Sequence, residues 1–381
     1  MGEKKKSLIG RHKQLTAIIL LLLVCVVLNI LAWTVKGFSD AYAEHIFPIW
    51  VNTYGRLTSL LPFSFGEVLI IIGIALVILS VIGIIPLLLI FKNKRRLIGK
   101  VYGFTYGWIL VFIVLTETLN CFILYHCSPF GELYGIGESE HTDAQLIELA
   151  EVLIERTNEL SLEVKRDSEG SFVLTADLDK TAKEAVSALA EDYPRLGGYY
   201  VTPKKIANSF FMSQQYLMGI YFPFSMEANY NQEMYQCNLP ETVTHELAHT
   251  KGFMPEDEAN FIAFLACARS KSKDYNYSGY LSTLKYVMGK VGEYCGSEKE
   301  SELYGKVNEY VWYDITGNRK YWDEVQESDE GLFDSKTVAE VSDKAMETSL
   351  KLNGIEDGKR SYGRMVDLLL NYYFGSGKSV E

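Results

Sequence analysis

Three long apolar segments in the first third of the chain constrain its fold more than any other feature. They run from Leu15 to Val35, from Val68 to Phe91 and from Phe104 to Tyr125. A helix of about 20 predominantly apolar residues crosses the roughly 30 Å of hydrocarbon in a bilayer. We therefore predict three transmembrane helices, with the lipid bilayer as a partner. The alternative for the first segment is a cleaved signal peptide, but its apolar run is long and ends well before the small-x-small site at residues 41–43.

Basic residues flank these segments unevenly. Clusters of Lys and Arg precede the first segment and separate the second from the third, whereas the loop between the first two holds only Lys36 and Arg56. Membrane proteins keep their Lys- and Arg-rich loops in the cytoplasm. We therefore predict a multi-pass protein of the cell membrane with three spans, a cytoplasmic N-terminus and an extracytoplasmic C-terminal domain.

Charge divides the chain at the same place as hydropathy. Residues 1–127 hold 12 Lys and Arg against 5 Asp and Glu, and the remainder holds 25 against 43. A nucleic-acid partner requires a basic surface, so the acidic composition of the second part excludes one. The predicted division is a transmembrane region at residues 1–127 and an extracytoplasmic domain at residues 128–381.

The second part has the composition and periodicity of a globular α+β domain. Apolar residues recur at helical spacing over Thr142–Leu160 and Leu178–Tyr193, and again in most segments after Pro240. Aromatic and β-branched residues dominate Asn208–Tyr230, which contains Gly219 and favours one or two short strands. The fold class predicted is therefore α+β, with three membrane helices followed by a mostly helical domain that carries a small β-sheet.

The segment HELAH, residues 245–249, carries the clearest chemical signal. His245 and His249 are four residues apart on a predicted helix, so both imidazoles project from one face and can bind a single Zn²⁺. Glu246 stands beside them in the position of a general base. HExxH also occurs on ordinary surface helices, so the motif alone leaves a purely structural role open.

A second helix follows closely and provides candidates for a third ligand. Gly252 is predicted to end the first helix and Pro255 to begin the next, which gives a tight helix hairpin. Of the acids at its start, Glu258 is the expected ligand, since it heads the stripe of residues 261, 262 and 265 that faces the core. Glu256 and Asp257 have a simpler role as first-turn acids that favour the helix dipole.

The motif and its surroundings resemble known families. HELAH followed by Glu258-Ala259-Asn260 is similar to the gluzincin metallopeptidases, and in particular to ImmA/IrrE-type peptidases. The whole layout, including GIYFPFSMEANYN and HELAHTKGFMPEDEANF, resembles a bacterial membrane family known only as domain of unknown function 3810. The gluzincin resemblance covers about 30 residues, and its interval from His249 to Glu258 is shorter than in most members. It implies a zincin-like fold for residues 128–381.

The gluzincin resemblance also implies a substrate-binding strand. In such families a strand before the active helix binds the backbone of the peptide, and Gly219–Asn231 occupies that place in this chain. Glu227 and Asn229 are then candidate contacts to peptide, or simply part of a turn after a strand.

These expectations combine into a zinc-dependent hydrolysis of peptide bonds in a protein or peptide substrate at the outer face of the membrane. Zn²⁺ on His245, His249 and Glu258 would activate water, and Glu246 would take its proton. Tyr362 and Arg364 are weak candidates for the group that stabilises the oxyanion, and both could instead anchor the last helix.

The competing hypothesis is a membrane sensor or binding protein that contains zinc but does not cut its ligand. A structural zinc site usually has four protein ligands, often cysteines, and has no need for a base beside them. The presence of Glu246 therefore favours the peptidase.

Overall fold

The computed structural model describes residues 13–137, 139–355 and 364–375. Within this part of the chain, three helices are long and apolar enough to cross a membrane: Lys13–Thr34, Phe65–Ile90 and Lys92–His126. These helices confirm the three predicted apolar spans, with ends that differ by a few residues for the first two. The third begins earlier than predicted, and a π-helical turn at Thr118–Phe122 interrupts it near its end.

The described residues are mostly helical. In chain order the α-helices are α1 (Lys13–Thr34), α2 (Phe38–His45), α3 (Phe47–Trp50), α4 (Arg56–Ser59), α5 (Phe65–Ile90), α6 (Arg95–Glu117), α7 (Phe130–Tyr134), α8 (Asp143–Glu163), α9 (Leu178–Ala188), α10 (Ser209–Gln214), α11 (Leu239–His249), α12 (Glu256–Ala268), α13 (Lys273–Cys295), α14 (Ser297–Tyr304), α15 (Glu309–Glu327), α16 (Ser335–Leu352) and α17 (Arg364–Phe374). Helices α8 and α9 confirm the two helical patterns predicted at the start of the second part.

A single small sheet accompanies these helices in the described part of the chain. Its strands are β1 (Lys204–Ile206), β2 (Gly219–Phe222) and β3 (Glu227–Asn231), in the spatial order β1-β3-β2. Strand β3 pairs in parallel with β1 and antiparallel with β2, so β2 is an edge strand. The sheet confirms the predicted α+β class, and β2 and β3 lie in the segment where strands were predicted.

The main core forms where α11, α12 and α13 pack against one another and against α8 and α9. Helix α11 also packs on β2 and β3, so it is covered on several sides and almost all of its residues are buried. Because neighbouring elements pack against it on several sides, α11 is held rigidly. The side chains on its face toward the sheet therefore have fixed positions relative to the sheet.

The packing continues across residue 127, where charge and hydropathy divide the sequence. A second cluster of buried apolar side chains joins residues before position 127, including Phe47 and Leu124, to Tyr221 of β2 and Met254 of the α11–α12 turn. In addition, Asn120 Nδ2 donates to the carbonyl of Pro223 over 2.8 Å. The apolar first part of the chain and the residues that follow it are therefore in direct contact.

Glu227 of β3 fixes the sheet to the start of α5, the second of the three long apolar helices. Its carboxylate accepts hydrogen bonds from the backbone N–H groups of Phe65 (3.1 Å) and Gly66 (2.7 Å), at the N-terminus of α5. The same carboxylate forms an ion pair of 2.7 Å with Lys204 of β1, and both side chains are almost fully buried. A carboxylate at a helix N-terminus also complements the helix dipole.

This buried ion pair gives a stability prediction. Glu227→Gln leaves the Lys204 ammonium buried without its counter-charge, which should lower the free energy of unfolding by about 3–5 kcal/mol. The measurement is the melting temperature of the purified full chain in detergent. Glu184→Gln is the matched control, because Glu184 forms only an exposed ion pair of 3.9 Å with Lys180 and should change stability by less than about 1 kcal/mol. Equal shifts for the two variants would contradict the structural role of Glu227.

Candidate metal centre

The HELAH segment lies at the end of α11, and the structure confirms the predicted helix hairpin. Pro240 occupies the first turn of α11, where its missing N–H leaves no hydrogen bond unmade. Gly252 follows the helix with a φ of 82°, a left-handed conformation that glycine adopts without strain. Pro255 then precedes α12, so the end of α11 and the start of α12 lie side by side.

The two histidine rings of α11 converge on one point. Their Nε2 atoms are 3.0 Å apart and their ring centroids 4.7 Å apart. His249 Nδ1 lies 2.7 Å from the backbone carbonyl of Phe253, which can only accept, so this nitrogen carries the proton. His245 Nδ1 likewise lies 2.7 Å from Asn260 Oδ1. In the neutral rings both Nε2 atoms therefore present lone pairs to the same place, as they do in metal sites.

Glu256, at the start of α12, completes the group. One of its oxygens is 3.2 Å from His245 Nε2 and the other is 3.9 Å from His249 Nε2. The three possible ligand atoms lie within 4.8 Å of one another. Bonds of 2.0–2.2 Å in a tetrahedral zinc site place the ligand atoms about 3.3 Å apart. The observed spacing therefore fits such an ion with only small side-chain adjustments.

Glu258 is not at this site, which corrects the expected ligand set. Its carboxylate accepts a hydrogen bond of 2.8 Å from the backbone N–H of Phe130, on the other side of α12. Burial raises its pKa to about 8, with a further contribution from neighbouring Asp257. Successive helix residues are about 100° apart, so Glu256 and Glu258 face almost opposite directions. The core stripe and the side of α12 that faces the histidines are therefore different faces.

Glu246 is buried beside the histidines in the position of a base. Burial raises the pKa of its carboxyl group to about 8; His245 acts in the opposite direction, and Glu256 and Glu241 raise it further. Its Oε2 atom has no hydrogen-bond partner among the residues that the structure describes. An unpartnered buried carboxylate oxygen is costly in a folded protein and is typical of groups that await a ligand or substrate.

Gly219 makes room for this carboxylate. A Cβ atom at position 219 would lie 2.3 Å from Glu246 Oε1, well inside van der Waals contact. Any other residue at the start of β2 would push the Glu246 side chain away from its present position. The contact with Glu246 therefore explains why the first residue of the edge strand is a glycine.

The acids around His245 make the centre strongly negative. Burial by itself would lower the pKa of His245, but the carboxylate of Glu256, and then those of Glu246 and Glu241, raise it to about 9. A proton is one way to neutralise this cluster, and a divalent cation is another. The electrostatics of the site therefore favour a bound cation.

The centre opens into a cavity of about 730 Å³. Its walls include the edge strand β2 and the preceding residues, Tyr286 of α13, one face of α16, and Tyr125 at the end of the third apolar helix. Tyr286 also interacts with Asn260, and burial raises the pKa of its phenol. The cavity thus brings a donor group, an edge strand and the histidine pair together.

Three further residues predicted from the sequence, Glu227, Asn229 and Arg364, do not lie at this site. Glu227 and Asn229 were expected to contact peptide, but both are buried in β3: Glu227 pairs with Lys204, and the Asn229 amide donates to the carbonyls of Ile220 and Glu227. Arg364 lies 3.1 Å from Asp257 and lines a different cavity. Tyr362 is outside the described residues.

Four residues lie at the site but were not predicted to contribute to it: Glu256, Asn260, Glu241 and Tyr286. The spacing of Glu256 and Asn260, four residues apart on one helix, was a usable signal, since it places both on the face toward the histidines. Tyr286 lies on a later helix, and no spacing links it to the motif.

Comparison with known proteins identifies a family without assigning an activity. A family model described as "Protein of unknown function (DUF3810)" matches residues 42–370. No curated protein matches the chain, and no solved structure matches it.

The ligand set predicts opposite outcomes for two neighbouring glutamates. Glu256→Gln removes a charged ligand and should weaken the affinity for Zn²⁺ by more than about 100-fold, beyond the 10–100-fold typical of residues that only support a ligand. Glu258→Gln should leave the affinity within a few-fold of wild type, because its carboxylate contacts Phe130 instead. Competition titration with a zinc chelator measures both. Zinc binding that survives Glu256→Gln and fails in Glu258→Gln would restore the original ligand assignment.

Proposed function

This chain belongs to the DUF3810 family, and we propose that it is a membrane-anchored zinc-dependent peptidase. The observation that carries the proposal is the convergence of His245 Nε2, His249 Nε2 and a Glu256 oxygen beside the buried, unpartnered carboxylate of Glu246. Three protein ligands leave one position of a tetrahedral zinc ion open, as in catalytic sites. A zincin-like assignment of the domain is part of the same proposal.

Each residue of the centre has a role in amide hydrolysis. Bound zinc would supply Lewis-acid polarisation and a lowered pKa for water. His245 and His249 are held in the tautomer that leaves Nε2 free by Asn260 and by the Phe253 carbonyl. Glu246 is placed to accept a proton from the attacking water and to pass it to the leaving amine.

The cavity supports a peptide as the substrate. Among the described residues strand β2 pairs only with β3, so its other edge can hydrogen-bond an extended chain, and residues 215–221 line the cavity. This assigns backbone recognition to β2 rather than to Glu227 and Asn229. Tyr286, which lines the cavity near Asn260, replaces Tyr362 and Arg364 as the candidate donor to the oxyanion.

The proposed location is the cell membrane, with the metal centre on the extracytoplasmic side. The three apolar helices support a multi-pass protein. The clusters of Lys and Arg before the first span and between the second and third support a cytoplasmic N-terminus. The domain that follows the third span then lies outside the cytoplasm.

Metal analysis and activity profiling of the full chain in detergent test this function. Wild type should contain about one zinc per chain and cleave members of a peptide library. His245→Ala should lose the metal, and Glu246→Gln should keep it while losing activity by about 10²–10⁴-fold, as expected for loss of a general base.

The outcomes separate the peptidase from its alternatives. Wild-type protein without zinc would contradict the metal centre. Zinc at full occupancy with no difference between wild type and Glu246→Gln would favour a non-catalytic zinc-containing sensor or binding protein.

Gly219 provides a test that leaves the metal ligands untouched. In Gly219→Ala the new methyl group displaces the Glu246 carboxylate, and a misplacement of about 1 Å can cost 10²-fold in rate. We expect kcat to fall by at least tenfold with zinc content unchanged. Gly289→Ala is the matched control, since a Cβ at Gly289 meets nothing within 4 Å. Wild-type activity in Gly219→Ala would show that Glu246 does not need its present position.

A further inference from the structure

The outer end of the third apolar helix forms part of the wall of the metal cavity. Cys121 and Tyr125, in its last turns, line the same cavity as His245 and Glu256. Met254, in the turn between α11 and α12, packs in one buried cluster with Leu124 of that helix. The metal centre therefore lies directly against the membrane part of the chain.

The length of this helix sets the height of the cavity above the hydrocarbon. Twenty residues at 1.5 Å per residue span about 30 Å, so a helix that enters the hydrocarbon at Val101, after the last basic residue Lys100, leaves it near Cys121. Cys121 then lies at that boundary, and Tyr125 lies about 6 Å beyond it. Lipid headgroups occupy about 5–8 Å on each side of the hydrocarbon. The cavity wall is thus at or just above headgroup level.

The first membrane helix gives a similar level, to within about 8 Å. Twenty residues from the basic Lys13 lead to Trp33, a residue type enriched at membrane interfaces. The Trp33 ring packs against the His126 ring, with centroids 4.4 Å apart and ring planes inclined by 50°. It also lies against Gly354, where an added Cβ would be 3.1 Å from the ring. The turn after α16 therefore reaches the hydrocarbon boundary.

The second membrane helix agrees with the other two. Counting twenty residues back from Lys92 places the outer boundary near Ile72, so Phe65 and Gly66 lie about 10 Å above it. Those two residues donate to Glu227 of β3, the strand beside the edge strand that lines the cavity. Three separate spans thus place the sheet and cavity close to the membrane surface.

Helix α16 forms the rim between the cavity and the bilayer. Met346 and Leu350 line the metal cavity, whereas Leu352 shares a second cavity with Phe122 of the third span. Val341 and Leu352 are apolar yet 64% and 75% exposed. Such exposed apolar residues are typical of a helix that lies at a membrane interface.

We propose that the substrate is the extracytoplasmic juxtamembrane segment of a membrane-anchored polypeptide, cut close to the point where it leaves the bilayer. This substrate class rests on the proposed peptidase function. In the reaction the C–N bond of one amide breaks, the hydroxyl of water joins the carbonyl carbon and its proton goes to the amine. A chain that emerges from the outer leaflet reaches β2 at the height where the cavity lies.

A series of substrates that differ in the distance between their membrane anchor and their cleavable segment tests the proposal in vesicles. The full chain is reconstituted with test substrates in vesicles of phosphatidylethanolamine and phosphatidylglycerol. Each substrate has a transmembrane anchor followed by a pool of randomised ten-residue segments, placed either directly at the membrane or after a proline-rich rod of twelve residues. The rod is about 37 Å long, and a Gly-Ser spacer of equal residue number, which can fold back, is its control. Mass spectrometry locates the cuts, with Glu246→Gln as the inactive control.

We expect cuts near the membrane and after the flexible spacer, and at least a tenfold loss of cleavage after the rigid rod. Equal cleavage beyond the rod and at the membrane would overturn the proposal while leaving the peptidase intact. No cleavage of any substrate by zinc-loaded protein would instead contradict the peptidase itself, and with it the substrate class.

Lipid labelling tests the geometry without relying on activity. The wild-type chain in the same vesicles is exposed to a phospholipid that carries a photoreactive diazirine near its headgroup, and the labelled peptides are identified. Labels on α16 and on the segment 215–221 would support a cavity at headgroup level. Labels confined to the three spans would overturn the proposal, even if peptides are cleaved.

Discussion

The site depends on the convergence of two ring nitrogens on one helix face. His245 and His249 use their Nδ1 atoms in hydrogen bonds, so their Nε2 atoms meet 3.0 Å apart, at a point that either a proton or a metal cation can occupy. The Glu256 carboxylate, 3.2 Å from His245 Nε2, favours a positive charge at that point. Two other residues support this arrangement: Asn260 Oδ1 lies 2.7 Å from His245 Nδ1 and orients that ring, and Gly219 leaves space for the side chain of Glu246.

The helix hairpin that carries His245, His249 and Glu256 is packed against the apolar helices of the first part of the chain. Met254 of its turn shares a buried cluster with Phe47 and Leu124. On the other side of the cavity, Glu227 ties the sheet to the first residues of α5. The apolar packing that stabilises these residues therefore also fixes the position of the histidine pair relative to the three apolar helices.

The parts of this structure that depend on local sequence were predictable. The lengths of the apolar segments predicted the three long apolar helices. The i, i+4 spacing of His245 and His249 predicted that their rings lie together. The choice between Glu256 and Glu258 was not local, since it depends on the rotation of α12 about its axis, which the contact of Glu258 with distant Phe130 fixes. Strand β1 could not be predicted either, because three residues are too few to show a periodic pattern. It forms only by pairing with the distant strand β3. The structural role of Glu227 could not be predicted, because it depends on a contact with the start of α5, which is distant in the sequence.

Diffraction data collected at the zinc absorption edge from crystals of the zinc-loaded full chain test the central claim most directly. The account predicts one anomalous peak, about 2.0–2.2 Å from His245 Nε2, His249 Nε2 and a Glu256 oxygen, with Glu258 still hydrogen-bonded to Phe130. A zinc ion bound by Glu258, or one held at a site that lacks the two histidines, would contradict it.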